Sequence, residues 1–71
     1  MNAQEIAQIQ TYLRQLFGNQ ELRVKQGAKE DMADIALKDE FLGVIYRDNE
    51  DGDVSYNFHM SILQMDLPDS S

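Results

Sequence analysis

The sequence predicts an α+β fold in which one N-terminal amphipathic helix packs on a four-stranded antiparallel β-meander. Apolar residues first recur at helical spacing, over residues 3–17, and from residue 22 onward they alternate with polar ones. The links between the alternating segments are short, which favours antiparallel neighbours. Because 71 residues make one small core, we predict a single domain over residues 1–67 and a disordered tail at 68–71.

The predicted helix has one apolar and one polar side. Asn2 and Glu5 have the spacing of a capping box at its start, and Gly18 suits a left-handed C-cap. Its apolar stripe contains Ile6, Ile9, Leu13, Leu16 and Phe17. The opposite stripe is polar but uncharged and contains Gln4, Gln8, Thr11 and Gln15. Such a stripe loses less on desolvation than a charged one, so it is either a candidate interaction surface or an ordinary solvated face.

Four strands are predicted at residues 21–26, 33–38, 41–47 and 54–62. Asp39-Glu40 and Asp51-Gly52 mark two hairpins. Gly43, inside the third strand, indicates a bulge or the close approach of another backbone. The fourth strand has one continuous apolar side. We therefore expect a core in which the helix packs on this strand through Ile9, Leu13 and Phe17 against Tyr56, Phe58 and Met60.

The third strand is apolar on both sides, although one helix covers only one face of a sheet. We predict a partly exposed patch on the face away from the helix, formed by Leu42, Val44 and Tyr46 and bordered by His59. The alternative is that Leu63, Met65 and Leu67 fold back and cover it. The first strand is a candidate edge for β-augmentation, unless its charged residues protect it.

The charge distribution argues against nucleic-acid and anionic-membrane partners. The net charge is −7, and from residue 39 onward Arg47 is the one base among eight acids. Phosphate binding requires clustered bases. The chain has no cysteine, which excludes disulfides and thiolate metal sites. It also lacks an apolar run of roughly 18–20 residues, the length of a membrane span. We see no export signal and expect a cytoplasmic protein.

The sequence predicts no catalytic residue, metal site or cofactor, and hence no enzyme. The acidic loop at 48–53 fails the calcium-loop pattern, because Arg47 and Phe58 occupy the positions that Asp and Glu would need. We interpret it as a charged hairpin tip, with weak divalent-ion binding as the alternative. His59, the one histidine, has Asn57 and Ser61 as same-face neighbours, neither of which is a strong metal ligand.

Several segments resemble a family of short bacterial proteins of unknown function, of about the length of this chain. They are Met1-Asn-Ala-Gln-Glu-Ile6, Leu16-Phe17-Gly18, Phe41-Leu-Gly-Val44 and Asp51-Gly-Asp-Val-Ser-Tyr-Asn-Phe58. The resemblance implies a stand-alone cytoplasmic protein and carries over no activity. From the residues, we expect a non-enzymatic protein-interaction module, either self-associating or an accessory subunit. The alternative is a small-ligand-binding domain that uses the sheet face away from the helix.

Overall fold

The computed structural model describes residues 1–69, and residues 70–71 of the predicted disordered tail lie outside that range. Helix α1 (Ala3–Phe17) is followed by strands β1 (Leu22–Gln26), β2 (Met32–Leu37), β3 (Glu40–Asp48) and β4 (Ser55–Met60). Short 3-10 turns occupy Glu50–Gly52 and Gln64–Asp66. The strands form one antiparallel sheet in the order β1-β2-β3-β4. The predicted α+β meander is confirmed.

Both ends of α1 are capped as the sequence predicts. The Glu5 backbone N–H donates to the Asn2 side chain at 2.7 Å, and the Asn2 N–H donates to the Glu5 carboxylate at 3.3 Å. This reciprocal pair satisfies two backbone donors that the first helical turn leaves free. At the other end, Gly18 has φ 62°, a left-handed conformation that glycine adopts without steric cost.

The turn between β2 and β3 lies one residue earlier than predicted. Lys38 and Asp39 both have positive φ, at 50° and 68°, as a two-residue type I′ turn requires. The register then shifts between Ile35 and Ala36. At this irregularity Leu42 packs against the core and also lines the depression beside Val44 and Tyr46 on the opposite face, so it contributes to both faces of the sheet.

Gly43 allows β3 and β4 to approach closely, as its position in the sequence suggested. Gly43 pairs with Met60, and a β-carbon at residue 43 would collide with the backbone carbonyl oxygen of His59. The same β-carbon would lie 3.0 Å from the Phe58 ring. Any larger residue would therefore push β4 away from β3.

The core lies between α1 and the first three strands. Its buried members are Leu13, Leu22, Val24, Ala33, Ile35 and Ile45. The prediction that Phe17 of α1 and Met60 of β4 are packed together in the core is wrong, because Phe17 is 57% and Met60 50% exposed. The reason is that α1 lies over β1, where side chains of the helix bond to the strand's backbone.

Two such hydrogen bonds hold α1 beside β1. The Val24 N–H donates to the Gln10 side-chain oxygen at 3.1 Å, and Arg14 Nε donates to the Leu22 carbonyl at 2.8 Å. Both bonds satisfy backbone groups on the outer edge of the sheet, where no further strand pairs. Because the helix covers this edge, it does not reach far enough across the sheet to cover β4.

Candidate functional site

An apolar cleft separates α1 from β4 on the helix side of the sheet. It consists of two adjacent depressions of about 340 and 250 Å³ that share Leu13 and Phe58. One wall comes from α1, the floor from β3 and the other wall from β4. The apolar lining residues include Ile9, Tyr12, Leu13, Phe17, Leu42, Ile45, Tyr56, Phe58 and Met60. These residues line the space that a helix placed over β4 would have filled, and we refer to this space as the cleft.

Hydrogen bonds close one end of the cleft. The Tyr56 hydroxyl donates to Glu5 Oε2 at 2.7 Å, and Arg47 Nη1 lies 3.4 Å from Glu5 Oε1. The Tyr56 hydrogen bond, followed by the Asn2 backbone N–H, lowers the pKa of Glu5, and Arg47 lowers it further. The same hydrogen bond raises the pKa of Tyr56. This polar group therefore connects α1, β3 and β4 at the N-terminal end of the helix.

The segment that follows β4 projects from the body with its apolar side chains uncovered. We call residues 61–69 the C-terminal arm. Every residue from Asn49 to Asp69 is exposed, including all of β4. In the arm, Ile62 is 68%, Leu63 54%, Met65 84% and Leu67 55% exposed. The arm thus covers neither face of the sheet, and the alternative that it folds back over the patch on β3 is wrong.

The two edges of the sheet differ. The outer edge of β1 bonds to α1 at the Leu22 carbonyl and at the Val24 N–H, so the predicted candidate edge is occupied at these two groups. No group within residues 1–69 bonds to the outer backbone edge of β4. Its unpaired N–H and C=O groups can accept another strand. Because β4 also forms one wall of the cleft, this open edge lies beside the cleft.

The candidate residues predicted from the sequence lie on two opposite sides of the molecule. On the sheet face away from the helix, Val44 is half-buried, Tyr46 is 41% exposed, and the ring of His59 packs edge-on against Tyr46 at 5.1 Å. Phe41, which we did not include, borders the same shallow depression and is 62% exposed. Gln4, Gln8, Thr11 and Gln15 form an exposed stripe along α1. Their role in binding stays a prediction.

The cleft and the arm were not predicted as a pair. A signal was available, because apolar residues occupy alternate positions from 54 to 62 and again from 63 to 67, more than one 15-residue helix can cover. We assigned the apolar side at 54–62 to the core. The hydrogen bonds from Gln10 and Arg14 to β1, which place the helix elsewhere, leave no periodic pattern in the sequence.

The acidic hairpin tip has the geometry of a solvated turn. Asp51 and Gly52 have positive φ, 57° and 82°, and the Asp48 carboxylate accepts the Glu50 N–H at 3.1 Å. In the part of the chain that the structure describes, no three His, Cys, Asp or Glu side chains are grouped so that they could hold a metal ion.

Across residues 1–69, no helix has the length and apolar character needed to cross a membrane.

Comparison with protein families identifies the chain's relatives. A family model described as "Protein of unknown function (DUF3126)" matches residues 5–66, which include most of α1, all four strands and most of the arm. The match confirms the resemblance to a family of unknown function. No curated protein and no solved structure matches the chain.

Proposed function

We propose that this chain, which belongs to the DUF3126 family of proteins of unknown function, is a small non-enzymatic protein-interaction module. The observation that carries the proposal is the uncovered apolar surface formed by the cleft and the C-terminal arm. It includes Phe17, Phe58 and Met60 beside the cleft and Leu63 and Met65 on the arm. Large contiguous apolar surfaces on small proteins mark interaction sites.

The exposed area supports a protein partner. The chain exposes 5725 Å², whereas a compact protein of 8.2 kDa would expose roughly 4,500 Å². The excess is about 1,200 Å², and a stable protein–protein interface buries about 800 Å² on each partner. The excess over the whole chain, polar atoms included, is therefore larger than one side of an ordinary interface. A small ligand in the cleft would leave the arm exposed.

The predicted cytoplasmic location is part of this proposal, with the absence of cysteine in its support. The alternative function, ligand binding on the sheet face away from the helix, stays a prediction. The depression on that face, beside Val44 and Tyr46, opens between exposed side chains. It has fewer apolar residues than the cleft, where the lining is almost entirely apolar.

Affinity capture with paired variants tests the proposal. The tagged protein, Phe58→Asp and Asn57→Asp are each incubated with cytoplasmic extract, and bound proteins, including untagged copies of the chain itself, are identified by mass spectrometry. Phe58 lines both parts of the cleft, whereas Asn57 lies on the other side of β4, so both variants add one negative charge to the same strand. We expect a partner that the parent protein and Asn57→Asp retain and that Phe58→Asp loses.

Circular dichroism of both variants controls for folding. Identical capture by the two variants, or capture of no partner by any form, would contradict the proposed function.

A further inference from the structure

Resting on the proposed function, we propose that the partner is a second copy of the chain, whose C-terminal arm occupies the cleft. The exchange is reciprocal, so that each copy inserts its arm between α1 and β4 of the other. The resulting dimer has two-fold symmetry and two identical arm-in-cleft contacts. Each chain then supplies the apolar segment that the other chain's incomplete core lacks.

The arm and the cleft match in chemistry and in length. The arm presents Ile62, Leu63, Met65 and Leu67 with no base among residues 61–69, and the cleft is lined by apolar side chains. From Tyr56 to Met60 the cleft wall spans about 13 Å, at roughly 3.3 Å per strand residue. The apolar part of the arm, extended at its ends with one 3-10 turn between them, also spans about 13 Å.

The arm does not enter the cleft of its own chain. It follows β4 directly at Ser61, so it would have to reverse direction at once to lie beside Met60. Its backbone is instead extended at Leu63 (φ −83°, ψ 143°) and again at Leu67 (φ −76°, ψ 142°). Consistent with a projecting arm, the radius of gyration is 13.6 Å against about 11 Å for a compact chain of this length. The longest dimension is 46 Å, and the other two are 25 and 22 Å.

The area is sufficient for a stable pair. Covering the excess surface of about 1,200 Å² on each copy would bury more than the roughly 800 Å² per partner of a standard interface. The open edge of β4 lies beside the cleft and can accept backbone hydrogen bonds from an incoming extended segment.

Electrostatic repulsion between the two copies opposes the dimer, so the dissociation constant should depend on the salt concentration. Each copy carries a net charge of −7, and the arm contributes Asp66 and Asp69. Salt screens repulsion between exposed like charges, over about 10 Å at 0.1 M, and leaves apolar contacts intact. The dimer should therefore become tighter as sodium chloride is raised, in contrast to an interface held by ion pairs.

The first test is the mass of the full chain in solution. Sedimentation equilibrium should give twice 8.2 kDa for the parent protein. The arm variant Leu63→Asp/Met65→Asp should weaken the dimer about 100-fold, because it places two charges in an apolar cleft. The matched control, Ser55→Asp/Asn57→Asp, adds the same charge on the other side of β4 and should leave the dimer unchanged.

The second test is complementation between two defective copies. Phe58→Asp disables the cleft and leaves the arm intact, and Leu63→Asp/Met65→Asp does the reverse. Each variant alone should be monomeric, but a mixture should form a heterodimer, since one arm-in-cleft contact is intact in the mixed pair. A dimer through any other surface would show no such rescue.

A spin label locates the arm. Asp69→Cys introduces the chain's one thiol, to which the spin label is attached. This spin-labelled protein is mixed with ¹⁵N-enriched protein that carries no spin label. We expect broadening of the Tyr12 and Phe17 amides of the enriched copy. A monomer at all concentrations, a dimer insensitive to the arm variant, or no broadening in the enriched copy of a mixed dimer would each overturn the exchange. The proposed function would survive these results if Phe58→Asp still lost a captured partner of another sequence.

Discussion

The Tyr56 hydroxyl donates a 2.7 Å hydrogen bond to the carboxylate of Glu5, 51 positions away in the sequence. It connects β4 to α1 at the N-terminal end of the helix. At the opposite end, Phe17 and Met60 face an open depression and are both at least half exposed. The cleft is therefore fixed at one end and open at the other, so a partner can enter beside Phe17 without breaking this hydrogen bond.

Replacement of Tyr56 by Phe should raise the pKa of Glu5 toward its ordinary value. The Tyr56 hydrogen bond is the largest influence that lowers this pKa, and the Asn2 backbone bond and Arg47 would remain. An NMR titration of the Glu5 side-chain carboxyl carbon measures the change. Tyr46→Phe, on the other face of the sheet, is the matched control and should leave the Glu5 pKa unchanged.

The same hydrogen bond predicts how stability depends on pH at both extremes. Because folding lowers the pKa of Glu5, its contribution is present above the unfolded pKa of about 4.3 and is lost as pH falls through the folded pKa. Folding raises the pKa of Tyr56, so its contribution is present below about pH 10 and is lost as pH rises through the folded pKa. The free energy of urea unfolding, measured across pH, should fall at both extremes in the parent protein. In Tyr56→Phe the fall at high pH that comes from Tyr56 should be absent.

Core truncations should separate the buried cluster from the cleft. Leu13 is 7% exposed and Ile35 1%, so Leu13→Ala or Ile35→Ala should each cost about 2–5 kcal/mol. Phe58 is 37% exposed, and Phe58→Ala should cost less than about 2 kcal/mol in the monomer because part of the ring is already in water. Urea unfolding at low protein concentration measures both. Equal losses at Leu13 and Phe58 would indicate a closed helix-on-β4 core, as the sequence suggested.

Gly43→Ala should detach β4 from β3. The added methyl group meets the His59 carbonyl oxygen and the Phe58 ring, which are held by the β3–β4 pairing, so the strand must move. We expect faster hydrogen exchange at the amides of β4, with exchange in β1 and β2 changed much less. Gly52→Asn is the control, because open space surrounds Gly52 and Asn tolerates its positive φ. Unchanged β4 protection in Gly43→Ala would mean that the added methyl group is accommodated without weakening the β3–β4 pairing.

The elements of the fold could be predicted from local patterns. The capping box, the apolar stripe of α1 and the turn at Asp51-Gly52 each depend on residues near one another in the sequence, and the structure contains all three. The core contact of Leu42 could not be predicted in this way. Alternation assigns residue 42 to the face of Val44, but at the register shift opposite Ile35 its side chain packs against the core and still lines the depression beside Val44.

The candidate site depends on where α1 crosses the sheet, which periodicity does not determine. An amphipathic stripe specifies which side of a helix is buried but not the strand that it contacts. Gln10 and Arg14 place α1 at β1 by bonding to its edge, and their residue types are equally common on solvated helix faces. For this reason, the same apolar residues of β4 that indicated a core in the sequence form the wall of an open cleft.

Two single substitutions should decide which face of the sheet docks a partner. The sequence favours the face with Val44 and Tyr46, whereas the uncovered apolar area favours the cleft beside Phe58. Tyr46 and Phe58 are similarly exposed, at 41% and 37%, and they lie on opposite faces of the sheet. Tyr46→Asp and Phe58→Asp therefore add the same charge to comparably exposed aromatic positions. Sedimentation of each variant, with circular dichroism to confirm folding, compares the two faces directly.

We expect Phe58→Asp to abolish association, because the residues that line the cleft include no base and the new carboxylate must be desolvated when the arm binds. Tyr46→Asp should leave association intact, since its side chain lies across the sheet from the cleft. The reverse result, with both variants folded, would place the docking surface on the face of Val44 and Tyr46. The exposed residues of the arm would then have to contact that face, and the Leu63→Asp/Met65→Asp variant would measure whether they do.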